Sequence, residues 1–107
     1  MMNIGFIGIG LMGFPMAKNL LKSGYNLKAY NRSQDKAVRL KEFGAEISIS
    51  IKEVVTNSDV VIAMLTDDAA VEKVMGSDEF ISNIKEGATV IDMSSVNPVI
   101  TKNMLRF

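Results

Sequence analysis

Gly8, Gly10 and Gly13 stand in G-x-G-x-x-G spacing between an apolar run, Asn3 to Ile9, and a segment patterned as a helix. At the point where a strand becomes a helix, each glycine has a physical job. Gly8 permits a tight turn, Gly10 lets a pyrophosphate approach the backbone, and Gly13 lets helix and strand lie close together. The ligand's negative charge would sit at the helix N-terminus, where unpaired amides and the helix dipole favour it. Ile9, Leu11 and Met12 complete the turn. Taken alone, the spacing also fits glycines that merely allow a turn and close packing.

About twenty residues further on, where a group that reads a ribose is expected, the chain has Asn31-Arg32-Ser33. A carboxylate there accepts hydrogen bonds from an adenosine 2′-hydroxyl and marks an NAD site. An amide, a guanidinium and a hydroxyl instead suit a 2′-phosphate, with Lys36 one turn further as support. NADP is therefore the expected cofactor and NAD the other candidate. The competing view is that Arg32 is a solvated loop charge and the site is indifferent between the two.

These groups must be positioned by regular elements. Asn3 to Ile9 reads as a strand covered on both faces. Phe14, Ala17 and Leu21 fall on one helical face, with Gly24 as a stop. Asn26 to Tyr30 is a second strand, followed by a helix capped by Ser33 and running to Phe43. A short strand at Ala45 to Ile49 precedes Ser50-Ile51-Lys52-Glu53, which has capping-box spacing. Asp59 to Leu65 is the plainest buried strand. Asp67 or Asp68 caps a helix to about Met75, a second helical segment covers Glu79 to Lys85, and Ala88 to Met93 is a fifth strand. Asn97-Pro98 starts a last helix. Five strands alternating with helices predict an α/β fold, an open doubly wound parallel sheet of Rossmann type, in one domain spanning residues 1–107.

In such a sheet ligands bind outside the carboxyl ends of the strands. That places Gly8 to Met12, Asn31 to Ser33, Met64 to Thr66 and Ser94-Ser95 around one crevice. Met64 and Leu65 would give an apolar wall. Val71 and Val74 lie beside the adenine or, as their helical spacing suggests, in the core. Ser94 and Ser95 either hydrogen-bond the nicotinamide end or a substrate carboxylate, or simply form a strand-to-helix turn.

Composition narrows the chemistry. Twelve basic and twelve acidic residues cancel, with no long block of one sign, so neither nucleic acid nor an anionic membrane is the expected partner. There is no cysteine and no histidine, which excludes disulfides, thiolate chemistry and the usual zinc sets. No metal site is expected. The apolar runs are too short to span a bilayer and no basic leader precedes the first strand, so a cytoplasmic protein is expected.

The segments "GFIGIGLMGFPMAKNLLKSGYNLKAYNRS", "VIAMLTDDAAVEKV" and "VIDMSSVNP" together resemble the N-terminal domain of the β-hydroxyacid dehydrogenases. That family includes 3-hydroxyisobutyrate dehydrogenase, tartronate semialdehyde reductase and the glyoxylate or succinic semialdehyde reductases, and it is related to 6-phosphogluconate dehydrogenase. The resemblance implies an oxidoreductase that moves a hydride between a nicotinamide and a small 3-hydroxy acid or semialdehyde. It implies that Gly8 to Gly13 bind the pyrophosphate, that Asn31, Arg32 and Ser33 surround the adenosine ribose or its phosphate, and that Leu65 contacts the dinucleotide. Ser95 stands where the family usually has a threonine near the nicotinamide, so the hydroxyl is retained.

In the family the catalytic lysine and its neighbouring asparagine belong to a later helical domain, and a Ser-Gly-Gly substrate loop follows the last helix. No lysine here matches the catalytic one; Lys102 falls on the final helix as a solvated charge. No catalytic residue is assigned, and the 107 residues alone are expected to show little or no turnover. Ile100, Met104, Leu105 and Phe107 would be left uncovered without that domain, which favours self-association. Two further readings compete. One is a stand-alone dinucleotide-binding module with a regulatory or sensing role. The other is a methyltransferase, which would want an acidic residue where Asn31-Arg32 stands.

Overall fold

The computed structural model describes residues 2–9, 13–32, 34–65, 73–93 and 103–106, with the backbone alone at 34, 36 and 103–106. Six strands form one sheet: β1 (Asn3–Ile7), β2 (Asn26–Tyr30), β3 (Glu46–Ile47), β4 (Val60–Ala63), β5 (Thr89–Asp92) and β6 (Asn103–Arg106). Their spatial order is β3-β2-β1-β4-β5-β6. The first five are parallel, with Ile4 of β1 level with Leu27 of β2 and Val60 of β4. The order reverses between β1 and β4, the switch point at which such sheets bind ligands.

The helices are α1 (Gly13–Lys22), α2 (Gln34–Val38), which runs on into a 3-10 turn at Arg39–Phe43, α3 (Ile51–Val55) and α4 (Asp78–Asn83). Residues 73–75 are also helical. Side chains of β1 alternate between two cores. Ile4 and Phe6 join Ala17, Leu27, Ala37 and Leu40 on the face covered by α1 and α2. Ile7 joins Val54, Val55, Val61, Phe80 and Val90 on the face covered by α3 and α4. Gly5 faces that second side, and a Cβ there would come within 2.3 Å of the Val54 carbonyl oxygen. Only a missing side chain lets the end of α3 lie so close to the central strand.

The helix starts follow local chemistry. Ser50 Oγ accepts from the Glu53 amide at 3.1 Å, as the capping-box spacing predicts. Ser77 does the same for Phe80 at the start of α4, a cap that lacks the acidic partner by which the pattern is recognised. The Ser33 cap and the Asp67 or Asp68 cap fall outside the described residues.

One element differs from expectation. Five strands are expected, yet residues 103–106 add a sixth, β6, antiparallel to β5, with Ile91 opposite Met104 and Asp92 opposite Asn103. The reason is tertiary. The outer edge of β5 presents a row of main-chain groups that residues 103–106 pair with, while Asn97-Pro98 and the helix start expected there lie outside the described residues. An antiparallel edge strand on a parallel sheet is a common arrangement. Met104 and Leu105 thus belong to an edge strand, while Ile100, Lys102 and Phe107 lie outside the described residues.

Candidate functional site

The carboxyl ends of β1, β2 and β4 converge on Gly8. The Gly8 amide donates to the Tyr30 carbonyl at 2.9 Å, and the Met64 amide donates to the Ile7 carbonyl at 2.8 Å. Gly8 has φ +97°, and a Cβ there would lie 2.1 Å from the Met64 carbonyl oxygen and 3.2 Å from Leu65 Cδ2. No other residue type fits that backbone and that gap.

The chain then enters α1 at Gly13, where a Cβ would approach the Gly8 carbonyl oxygen to 2.4 Å and the Phe6 ring to 3.3 Å. Gly8 and Gly13 therefore serve the tight turn and the close helix contact assigned to them by spacing. Gly10, expected to admit a pyrophosphate, lies outside the described residues with Leu11, Met12, Ser33 and Ser95.

Asn31 sits at the end of β2, and its Oδ1 accepts the Ile9 amide at 2.8 Å. Ile9 itself is a core residue, 1% exposed. Its side chain packs with Ile4 and Phe6, and its amide serves Asn31. Arg32 is exposed beside them. Met64 and Leu65 are half-buried on opposite sides, Met64 against the α1 core and Leu65 against the α3 core. Val74 belongs to the α3 side as well, and Val71 is not described.

The charge around the start of α1 suits an anion. The first turn of α1 has no acidic residue. Arg39 Cζ lies 4.9 Å from the Phe14 ring centroid and Lys18 Nζ 4.7 Å from that of Phe43. The two rings meet edge to face at 6.2 Å, so a cation–aromatic seam flanks the start of α1. A glycine-built turn, a helix start free of carboxylates and an exposed guanidinium fit a phosphate-bearing dinucleotide.

A groove of about 410 Å³ opens at the other end of the strands, beside Asn3, Tyr25, Asn26 and Glu46, well away from the glycine turn. Among the described residues no cluster of three or more potential metal ligands occurs. No described helix is long and apolar enough to cross a membrane.

Two positions have roles that the sequence alone does not reveal. Gly5 reads as one more residue of an apolar strand, because the demand for it comes from α3. Asn31, expected near a ribose, also accepts the Ile9 amide through its side-chain carbonyl, and nothing in the sequence announces that bond.

The chain is similar to known proteins over most of its length. 3-Hydroxyisobutyrate dehydrogenase of mouse mitochondria is 38% identical over 104 residues, which covers 96% of this chain and 31% of that protein. The chain thus spans about a third of the length of the curated relatives it matches. The structure of Mycobacterium tuberculosis 3-hydroxyisobutyrate dehydrogenase with L-serine superposes with a TM-score of 0.81 at 29% identity, covering 88% of this chain and 32% of that one. An imine reductase from Myxococcus stipitatus in complex with NADP+ gives 0.82 at 26% identity, covering 92% and 33%. The model of the NAD binding domain of 6-phosphogluconate dehydrogenase matches residues 3–106. This chain belongs to that family of NAD(P)-binding domains.

Proposed function

We propose that these residues are the cofactor-binding part of an NADP-preferring oxidoreductase that moves a hydride between the nicotinamide and a small 3-hydroxy acid or semialdehyde. The observation that carries the cofactor preference is the end of β2. An exposed guanidinium, Arg32, follows an asparagine where a carboxylate would select NAD. The substrate class rests on the 3-hydroxyisobutyrate dehydrogenases, of which this chain matches one third.

The dinucleotide would lie across the switch point, its pyrophosphate over the Gly8 to Gly13 turn and its adenosine toward Asn31, Arg32 and Ser33. Leu65, pressed against Gly8, would border it from β4, and Ser95 would stand at the nicotinamide end. When bound, the nicotinamide supplies the hydride chemistry. The residues here bind and orient it, while substrate binding and proton transfer fall to sequence outside the matched third, so the 107 residues alone bind without turning over.

Calorimetric titration with NADPH and with NADH tests this. Saturable binding is expected for NADPH, tighter than for NADH. Arg32→Ala should weaken NADPH by about 1–3 kcal/mol more than NADH through loss of a charge-assisted contact. Equal losses for the two cofactors would remove the 2′-phosphate assignment.

A further inference from the structure

In an extended strand successive residues turn their main-chain groups to opposite neighbours. Along β1 this holds up to the turn: the Ile7 carbonyl serves Met64 on the β4 side, and the Gly8 amide serves Tyr30 on the β2 side. Ile9 should face β4 again. Its amide instead donates to Asn31 Oδ1, on the β2 side, at 2.8 Å. The positive φ of Gly8 breaks the alternation and turns two consecutive amides toward β2. The first finds a main-chain carbonyl. The second lies beyond the paired part of β2, where the Asn31 side chain takes the carbonyl's place.

We propose that Asn31 is a positioning residue that fixes the glycine turn for NADH and NADPH alike, leaving discrimination between them to Arg32. The inference rests on the dinucleotide reading above. Asn31 is the residue next to the guanidinium, and spacing alone assigns both to the same task. The geometry separates them, because the Asn31 carbonyl holds the loop at Ile9, an element any dinucleotide would use. An amide buried with Ile9 and left without its acceptor would let the turn relax out of shape.

The test uses Asn31→Ala and Asn31→Asp beside the wild-type chain and Arg32→Ala. Asparagine to aspartate keeps an acceptor for the Ile9 amide and adds a negative charge. Two readouts are taken: hydrogen exchange at the Ile9 amide, which needs no cofactor, and the Kd for NADPH and NADH.

The expected result for Asn31→Ala is faster exchange at Ile9 and a loss of about tenfold in affinity for both cofactors, with their ratio unchanged. Asn31→Asp should keep the Ile9 protection and the NADH affinity while losing NADPH, since a carboxylate beside Arg32 offsets the guanidinium's attraction for a 2′-phosphate. Arg32→Ala should change the ratio and leave Ile9 protected. Loss of NADPH affinity alone in Asn31→Ala would make Asn31 a direct reader of the phosphate and overturn the proposal. So would wild-type exchange at Ile9 in Asn31→Ala, or lost protection in Asn31→Asp, the second of which decides the matter if the alanine variant does not fold. If the wild-type chain binds neither cofactor, the dinucleotide reading fails, while the exchange comparison still decides whether Asn31 fixes the turn.

Discussion

Asp59 accepts the main-chain amide of Asn3 at 2.9 Å, so the residue just before β4 anchors the start of β1. The same carboxylate pairs with Lys85 from the approach to β5. One side chain thus ties together the entry points of three adjacent strands, at the end of the sheet opposite the glycine turn.

The Asn3 amide first, and Lys85 second, hold the Asp59 carboxyl below its usual value of 3.8, with partial burial opposing them. A carboxyl whose folded pKa is depressed contributes stability above its unfolded value, and that contribution vanishes as pH falls through the folded value. Unfolding stability should therefore drop on acidification below about pH 4. Asp59→Asn should be less stable at neutral pH and flatter across that acid range. Parallel acid limbs for the two proteins in denaturant titrations would refute the assignment.

Lys28 reaches from β2 to the end of α3, where its Nζ donates to the Glu53 carbonyl at 2.9 Å and to the Thr56 carbonyl. Those are acceptors that a helix end leaves without partners, and a cation there also opposes the negative end of the dipole. Lys28→Met keeps the apolar stem and removes the donor. A loss of about 1–2 kcal/mol is expected. Urea unfolding measures it, and a variant as stable as wild type would exclude the role.

Ser48 is fully buried, its amide donating to the Ala29 carbonyl at 2.9 Å. Its hydroxyl has no hydrogen-bond partner among the described residues. Burial without a partner is unfavourable, so Ser48→Ala should raise stability by about 1 kcal/mol. A thermal melt that shifts down instead would show that the hydroxyl is satisfied in solution.

Gly8 and Gly24 share a left-handed backbone, φ +97° and +95°, but differ in what surrounds them. An alanine methyl at Gly24 meets nothing within 4 Å, whereas at Gly8 it collides with the Met64 carbonyl. Gly24→Ala should cost about 1 kcal/mol from backbone strain alone. Gly8→Ala should cost roughly 3–5 kcal/mol, strain and overpacking together. Similar losses in the two variants, measured by denaturant unfolding, would mean that the sheet end yields more easily than its geometry suggests.

The parallel strands were legible because burial on both faces leaves near-continuous apolar runs, as in Asp59 to Leu65. The switch point followed from their alternation with helices. β6 was not legible, since Met104 and Leu105 carry no period of their own and the edge they pair with is created by the rest of the sheet. Within the site, Gly8, Gly13 and Leu65 meet as their spacing and strand positions implied. The Ile9 to Asn31 bond was illegible, because it depends on the backbone reversal at Gly8 and on where β2 ends. Gly5 was illegible for a similar reason: its neighbour is Val54, nearly fifty residues away.

The crowding at Gly8 and Gly13 comes from the chain's own backbone, not from a ligand. A duplicated copy released from selection for any cofactor would still be compelled to retain both, along with Gly5, simply to fold. Arg32, exposed at the end of β2, is under no such demand from packing. In tracing descent among domains of this shape, retention of the outer glycines therefore records ancestry of fold and by itself says nothing of continued employment.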